Sequence, residues 1–254
     1  MKKIDINTFT GHWPFRKVYN QSLESIRAYM ERDEVEQSLI SSFDSIFYND
    51  SFEGDEDLYA AISGDQKFRM VMTVNPKVPG WQKDLETACE KFHICAVKVY
   101  PTYHNYLLKD PDFLELVSIL EKKNLPLMIA LRLEDPRFVY LWSVGTIDLN
   151  TIRVLVGETT IPVIMLHGLT SEVQALAPIL DGQHNFYVDT CGMRYGIFPI
   201  ETLRKTISAD SILYGSSYPL LCAKAASYVI ERADIPEEEK EKMLYRNAQR
   251  VFNL

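Results

Sequence analysis

The chain has 254 residues, 46% of them hydrophobic and 24% charged, with 35 acidic against 27 basic side chains and a formal charge of −8. This length buries a sizeable core and matches the roughly 250 residues of an eight-unit barrel, so one domain over residues 1–254 is expected. With no basic run longer than two and no stretch nearing 18 uninterrupted apolar residues, nucleic acid and membrane are not expected as partners.

Met1-Lys2-Lys3 runs straight into a strand-like segment rather than an apolar leader, so the cytoplasm is the expected location. From there, short apolar or β-branched runs alternate with longer amphipathic ones, recurring about every 30 residues. The predicted strands are Lys3–Phe9, Gln37–Phe43, Phe68–Asn75, Ala96–Tyr100, Pro126–Arg132, Pro162–His167, Phe186–Thr190 and Ser211–Gly215. Helical patterns cover Leu23–Arg32, Asp55–Ser63, Gly80–Phe92, Asp112–Lys123, Asp148–Glu158, Ser171–Leu180 and Ala223–Arg232. Ile235-Pro236-Glu237-Glu238-Glu239 then has the early proline and acidic first turn of a C-terminal helix.

Leu127-Met128-Ile129-Ala130-Leu131 and Val163-Ile164-Met165-Leu166 are apolar throughout, as parallel strands buried on both faces are. The fold class is therefore α/β, a single (β/α)8 barrel with an extra C-terminal helix. A doubly wound open sheet gives the same alternation, but no G-x-G-x-x-G or Walker-type loop supports it. Cys89, Cys95, Cys191 and Cys222 form no C-x-x-C pair and are read as buried reduced thiols.

In such a barrel the working side chains stand at the C-terminal ends of the strands. Those positions hold Asn7, Asp44, Asn75, Lys98, Arg132, His167, Asp189 and Ser217, with Tyr100, Tyr103, His104 and Tyr106 placed to roof a pocket. His167 suits a general base, a ligand or a substrate-binding donor, with a satisfied structural histidine as the alternative. Lys98 ends a buried strand, where an ammonium needs a partner or a ligand carboxylate. Arg132 suits a bidentate carboxylate clamp, or an ion pair with Glu134 or Asp135. Arg16 and His12 flank Trp13 and reach the pocket unless Trp13 and Phe15 plug the barrel top. Asp189 orients a base or joins a buried network with Lys98. Ser217 can donate to substrate, but no nucleophile elbow surrounds it. Because Asp189 and Asp44 neutralise only part of the charge of Arg16, Lys98 and Arg132, an anionic small molecule is the expected ligand.

Ile4-Asp5-Ile6-Asn7-Thr8-Phe9 is similar to the I-D-x-H-x-H first strand of the amidohydrolase-related proteins. Val97-Lys98-Val99-Tyr100-Pro101 resembles their G-V-K-L-Y-P, Val163–Gly168 their V-x-x-x-H-G, and Tyr214-Gly215-Ser216-Ser217-Tyr218-Pro219 their F-G-S-D-x-P. Asn247-Ala248-Gln249-Arg250-Val251-Phe252 resembles their closing N-A-x-R-x-F helix, and Trp13-Pro14-Phe15-Arg16 resembles a W-P-F-R subgroup that tends to depart from the metal-ligand pattern. The resemblance spans the chain in register. It implies a barrel whose first-strand histidines, a later histidine and an eighth-strand aspartate hold a divalent metal. Here those positions read Asn7, Phe9, His167 and Ser217, so only His167 survives. A catalytic zinc needs about three protein ligands. No tightly bound metal cofactor is expected, and a weak divalent ion stays open.

The resemblance thus implies a hydrolase, lactonase-like, of a small carboxylated or polar cyclic metabolite. The catalytic candidates are His167, Lys98, Ser217 and Asp189, and the substrate-binding candidates Arg132, Arg16, His12, Tyr100, His104 and Asn7. A non-catalytic metabolite-binding or partner-binding barrel and a decarboxylase are the alternatives. A homo-oligomer is compatible with such barrels, though no stripe marks an interface.

Overall fold

The computed structural model describes residues 1–135, 145–177, 180 and 183–254. Its strands are β1 (Lys3–Thr10), β2 (Val35–Ser42), β3 (Phe68–Thr73), β4 (Ala96–Val99), β5 (Leu127–Ala130), β6 (Val163–Leu166), β7 (Phe186–Asp189) and β8 (Ile212–Leu213). They pair in parallel in chain order, β1 to β8. The barrel closes where Ser217 N donates to Asn7 O at 2.7 Å, Phe9 N to Tyr218 O at 2.8 Å and Ile6 N to Tyr214 O at 3.0 Å. The fold is a (β/α)8 barrel, as expected.

Helices α1 (Leu23–Arg32), α2 (Asp44–Phe47), α3 (Ser51–Ile62), α4 (Trp81–Thr87), α5 (Pro111–Lys123), α6 (Leu149–Glu158), α7 (Thr170–Leu176), α8 (Pro199–Leu203) and α9 (Ala223–Glu231) interleave with the strands. Local chemistry sets their ends. Ser22 caps α1 by accepting from Ser25 N, and α1 buries Ile26, Tyr29 and Met30 on one face. Pro111 opens α5 and Asn124 closes it in a left-handed conformation. The predicted Gly80–Phe92 helix is realised as α4 continued by a π-helical Ala88–Phe92. Helix α7 covers the start of the predicted Ser171–Leu180, whose positions 178–179 lie outside the described residues. Among the described residues no helix is long and apolar enough to cross a membrane.

The C-terminal segment runs through α10 (Glu237–Glu241), a π-helical Lys242–Arg246 and α11 (Asn247–Phe252). Ala248, Val251 and Phe252 pack with Ile4, Ile6, Leu39, Val71, Met128, Ile164 and Leu213, which fill the lower barrel interior. A separate aromatic cluster of Phe9, Trp13, Phe43 and Tyr100, with Phe15, Phe47 and Tyr103 against it, fills the opposite end. Between this aliphatic floor and aromatic roof lies a layer of buried polar side chains.

One irregularity shapes that layer. The β1–β2 register runs from Asp5↔Ser38 to Thr8↔Ile40, so β1 carries an extra residue there. Such a bulge breaks the alternation of facing: Ile6 packs in the floor while its neighbour Asn7 also turns inward to Lys98 and Asp189.

Candidate active site

Five of the predicted residues converge in this layer. Lys98 Nζ donates to Asn7 Oδ1 at 3.0 Å and to Ser41 Oγ at 2.8 Å, and it stands 4.3 Å from the centroid of the Phe9 ring. Asn7 Nδ2 donates to Asp189 Oδ2 at 3.0 Å and lies 3.3 Å from His167 Nε2. Ser217 Oγ is 3.3 Å from the same Nε2. Asn7, Lys98, His167, Asp189 and Ser217 are all buried.

These contacts assign proton positions. The Lys98 amine has no acceptor lone pair while it is charged, so Asn7 must present its carbonyl to it and its NH2 to Asp189 and His167. His167 Nε2 then faces a donor and accepts, which leaves the ring proton on Nδ1.

Burial governs the electrostatics. It pulls the Lys98 amine down to about 7, with Asp189 and Asp5 opposing the shift. It pushes the Asp189 carboxyl up to about 6, against bonds from Cys191, Asn7 and the His167 backbone. His167 is held well below the usual imidazole range by burial first and then by the positive charges of Arg194, Lys98 and Arg132.

Two strand ends carry strain. His167 and Ser217 have φ of 60° and 58°, left-handed values that cost a non-glycine residue roughly 1 kcal/mol or more. This is why β6 stops at Leu166 instead of running to His167. Asp189 Oδ1 accepts from His167 N at 2.9 Å and so holds that turn. Gly215 makes room for it, since a Cβ there would stand 2.9 Å from Asp189 Oδ2 and 3.2 Å from Asn7 Cβ.

The other candidates lie outside the layer. Arg132 donates to His167 O at 2.9 Å and is clasped by both carboxylate oxygens of Glu172 from α7, in place of the expected Glu134 or Asp135. Arg16 Nε and Trp13 Nε1 both donate to Glu134 Oε1 at 2.8 Å, and Arg16 also reaches Leu220 O. Glu172 and Glu134, rather than Asp189 and Asp44, thus pair with Arg132 and Arg16. His12 is exposed, with its backbone N–H on Asp44, and Asn75 caps a turn by accepting from Lys77 N.

Tyr100 belongs to the aromatic roof, as do Trp13 and Tyr103, so Trp13 plugs the barrel top. His104 leans on α2 through a 3.0 Å contact between Nε2 and Ile46 O, and burial pulls it down to about 4. Tyr106 stacks between His104 and Phe113. Of the cysteines, Cys222 is exposed and Cys89 only half-buried, which corrects the expectation that all four are buried.

Residues without a sequence signal complete the layer. Ser41 holds Lys98, and Cys191 Sγ stands 3.3 Å from Asp189 Oδ1. Asp55 comes from α3, accepting from Ser45 Oγ at 2.9 Å and Thr73 N at 3.1 Å; burial raises its carboxyl well above the usual range. Asp5 accepts from Tyr29 Oη at 2.7 Å and from Ser216 N at 2.9 Å, tying β1 to the segment after β8.

The metal positions implied by the resemblance do not fit a divalent ion. Both ends of the Asn7 amide are engaged, Phe9 presents a ring face to the Lys98 amine, and Ser217 offers a neutral hydroxyl. Among the described residues one trio of metal-capable groups exists: His167, Asp189 and Cys191, whose ligand atoms lie within 4.8 Å of one another. Both Asp189 oxygens already accept bonds from the protein.

No curated protein matches the chain. Solved structures match its fold. A dihydroxybenzoic acid decarboxylase from a Polaromonas species, with manganese and the inhibitor 2-nitroresorcinol bound, is 15% identical with a TM-score of 0.78, covering 100% of this chain and 97% of the other. A 5-carboxyvanillate decarboxylase from Sphingomonas paucimobilis is 14% identical with a TM-score of 0.75, over 100% and 99%. A protein from Acinetobacter baumannii named a "probable 2-pyrone-4,6-dicarboxylic acid hydrolase", with citric acid bound, is 12% identical with a TM-score of 0.71, over 100% of both. At these identities the likeness shows the fold alone. The sequence profile of the amidohydrolase family matches residues 46–254, most of the chain, and the chain belongs to that family.

Proposed function

We propose that the chain is a hydrolase of a small polar cyclic ester, lactonase-like, that works without a tightly held metal. The observation that carries this reading is the Lys98–Asn7–His167 arrangement: a cationic donor and a neutral imidazole acceptor joined through one amide. In an amidohydrolase barrel a metal polarises the carbonyl and activates water. Here Lys98, while protonated, donates to the carbonyl oxygen and stabilises the oxyanion as the ring ester is attacked. The attacking water gives its proton to Ser217 Oγ as that hydroxyl passes its own to His167 Nε2, the nitrogen it already faces. Asn7 positions both groups, and Asp189 fixes Asn7 and the His167 backbone.

Pairing of Arg132 with Glu172 and of Arg16 with Glu134 turns the substrate class toward polar cyclic compounds and away from polyanions. The same pairing, with Trp13 over the layer, favours a second reading, a non-catalytic barrel that binds a metabolite. Decarboxylation, the activity named for two of the structural neighbours, leans in the resembling enzymes on the metal site that this chain has lost. A panel of lactones and hydroxybenzoates assayed on chelator-treated protein separates the three. Lactone opening supports the hydrolase, while stabilisation by a lactone without turnover supports the binding protein. Carbon dioxide release from a benzoate supports the decarboxylase.

A further inference from the structure

We propose that Lys98 is a carbonyl-capturing amine that forms an iminium with a small hydroxyketone or hydroxyaldehyde. This goes beyond ester hydrolysis, which uses the same side chain only as a hydrogen-bond donor.

The surroundings of the amine carry the inference. Its hydrogen-bond partners are neutral, Asn7 Oδ1 and Ser41 Oγ, and its third near neighbour is the Phe9 ring. Among the described residues it makes no ion pair, unlike Lys3, Lys77, Lys224 and Lys240. A wholly buried lysine with no carboxylate in direct contact, Asp189 and Asp5 acting on it only from a distance, is held toward its neutral, nucleophilic form. The pull of burial toward about 7 agrees with this.

The substrate class follows from what lines the amine. Thr73 is the register partner of Lys98 across β3 and β4, and the Tyr100 hydroxyl lies beside Ser41 and Thr73. Thr73 Oγ1 and Tyr100 Oη are both buried beside each other and Ser41, and among the described residues neither makes a hydrogen bond of good geometry. Buried hydroxyls of this kind leave free energy to be gained from a ligand that hydrogen-bonds them. A hydroxylated carbonyl compound supplies those bonds. A 2-oxo acid is disfavoured because Arg132 and Arg16 are already engaged by carboxylates.

The step balances without an oxidant or reductant. The amine lone pair attacks the carbonyl carbon, and the C–O π pair moves to oxygen, which takes a proton to give a carbinolamine. After nitrogen loses a proton, the hydroxyl is protonated and leaves as water while the C–N double bond forms. His167 Nε2 and Ser217 Oγ, joined to Lys98 through Asn7, are placed to carry these protons.

The test is reductive trapping. Purified protein is incubated with dihydroxyacetone and sodium borohydride, digested and mapped by mass spectrometry, with pyruvate in a parallel arm. The expected result is a reduced adduct on Lys98 that exceeds that on any other lysine by more than about tenfold, reflecting the larger neutral-amine fraction. Pyruvate should label it far less, and folded Lys98→Arg should show no adduct at that position. Labelling confined to exposed lysines, with the Lys98 peptide unmodified, overturns the proposal. Equal labelling of Lys98 by pyruvate overturns the substrate class. Peptide mapping of the wild-type chain decides the matter even where Lys98→Arg fails to fold, and its outcome is independent of whether any ester is hydrolysed.

Discussion

The 3.0 Å bond from Lys98 Nζ to Asn7 Oδ1 fixes which way the Asn7 amide points, and through it the bonding of Asp189 and His167. One residue, at a position where the resembling enzymes carry a metal-binding histidine, thus connects Lys98 to the Asp189 carboxylate and the His167 imidazole. Asn7→Leu keeps the approximate volume but leaves the amine and the carboxylate each one partner short. An unsatisfied buried group costs about 1–3 kcal/mol, so with two such groups the variant should lose roughly 2–6 kcal/mol in urea unfolding. A loss below about 0.5 kcal/mol would show that water replaces the amide at no cost.

The titration of Lys98 gives stability a pH dependence of known sign. Its amine falls to about 7 in the folded chain from 10.5, so between those values the unfolded chain binds more protons and stability rises with pH. The slope contributed by one such group is at most about 1.4 kcal/mol per pH unit. Unfolding free energies at pH 7.5, 8.5 and 9.5 should therefore rise more steeply for the native chain than for Lys98→Met. Parallel profiles would mean that Lys98 keeps an ordinary amine. Asp189 acts in the opposite sense and lower down: raised to about 6 from 3.8, it contributes stability at low pH that is lost as pH climbs through about 6.

Gly215 has a packing role that a methyl group exposes. The added Cβ would meet Asp189 Cβ and Oδ2 at 2.9 Å, closer than real contacts. Gly215→Ala should displace the carboxylate from Asn7 and cost about 1–3 kcal/mol, the usual range for overpacking. Melting curves check the stability, and the pH profile of the variant checks the coupling to Lys98.

Metal content follows from the same residues. Asn7, Phe9 and Ser217 stand where three ligands are implied, so elemental analysis of purified protein should find well under one equivalent of zinc, manganese or iron. Stoichiometric metal that survives mild chelation and disappears in Cys191→Ser would move the centre to His167, Asp189 and Cys191.

Much of the architecture was legible because period and punctuation are local. Every predicted strand overlaps an observed one, and α1 has the predicted bounds. Strand ends are less so: the apolar run predicts a strand through His167, but its left-handed backbone ends β6 at Leu166. The polar layer was legible where it follows the rule that strand C-termini carry function, which placed Asn7, Lys98, His167, Asp189 and Ser217 together. Pairings made across the sequence were not. Glu172 lies 40 residues from Arg132 and Glu134 lies 118 from Arg16, so charge counting could not foresee that both arginines are satisfied. The register bulge that turns Asn7 inward, and the arrival of Asp55 from a helix, have no periodic signature.

We propose that the Lys98–Asn7–His167 arrangement opens a polar lactone without metal. Its most direct test is kcat/KM on the best lactone of a panel, measured for the native chain before and after exhaustive chelation and for folded Lys98→Met and His167→Gln. Chelation should leave the rate unchanged, and each variant should lose about 10²-fold or more, the scale of a removed oxyanion donor or general base. Activity that vanishes on chelation and returns with added manganese, while Lys98→Met retains it, would mean that a metal and not Lys98 drives the reaction.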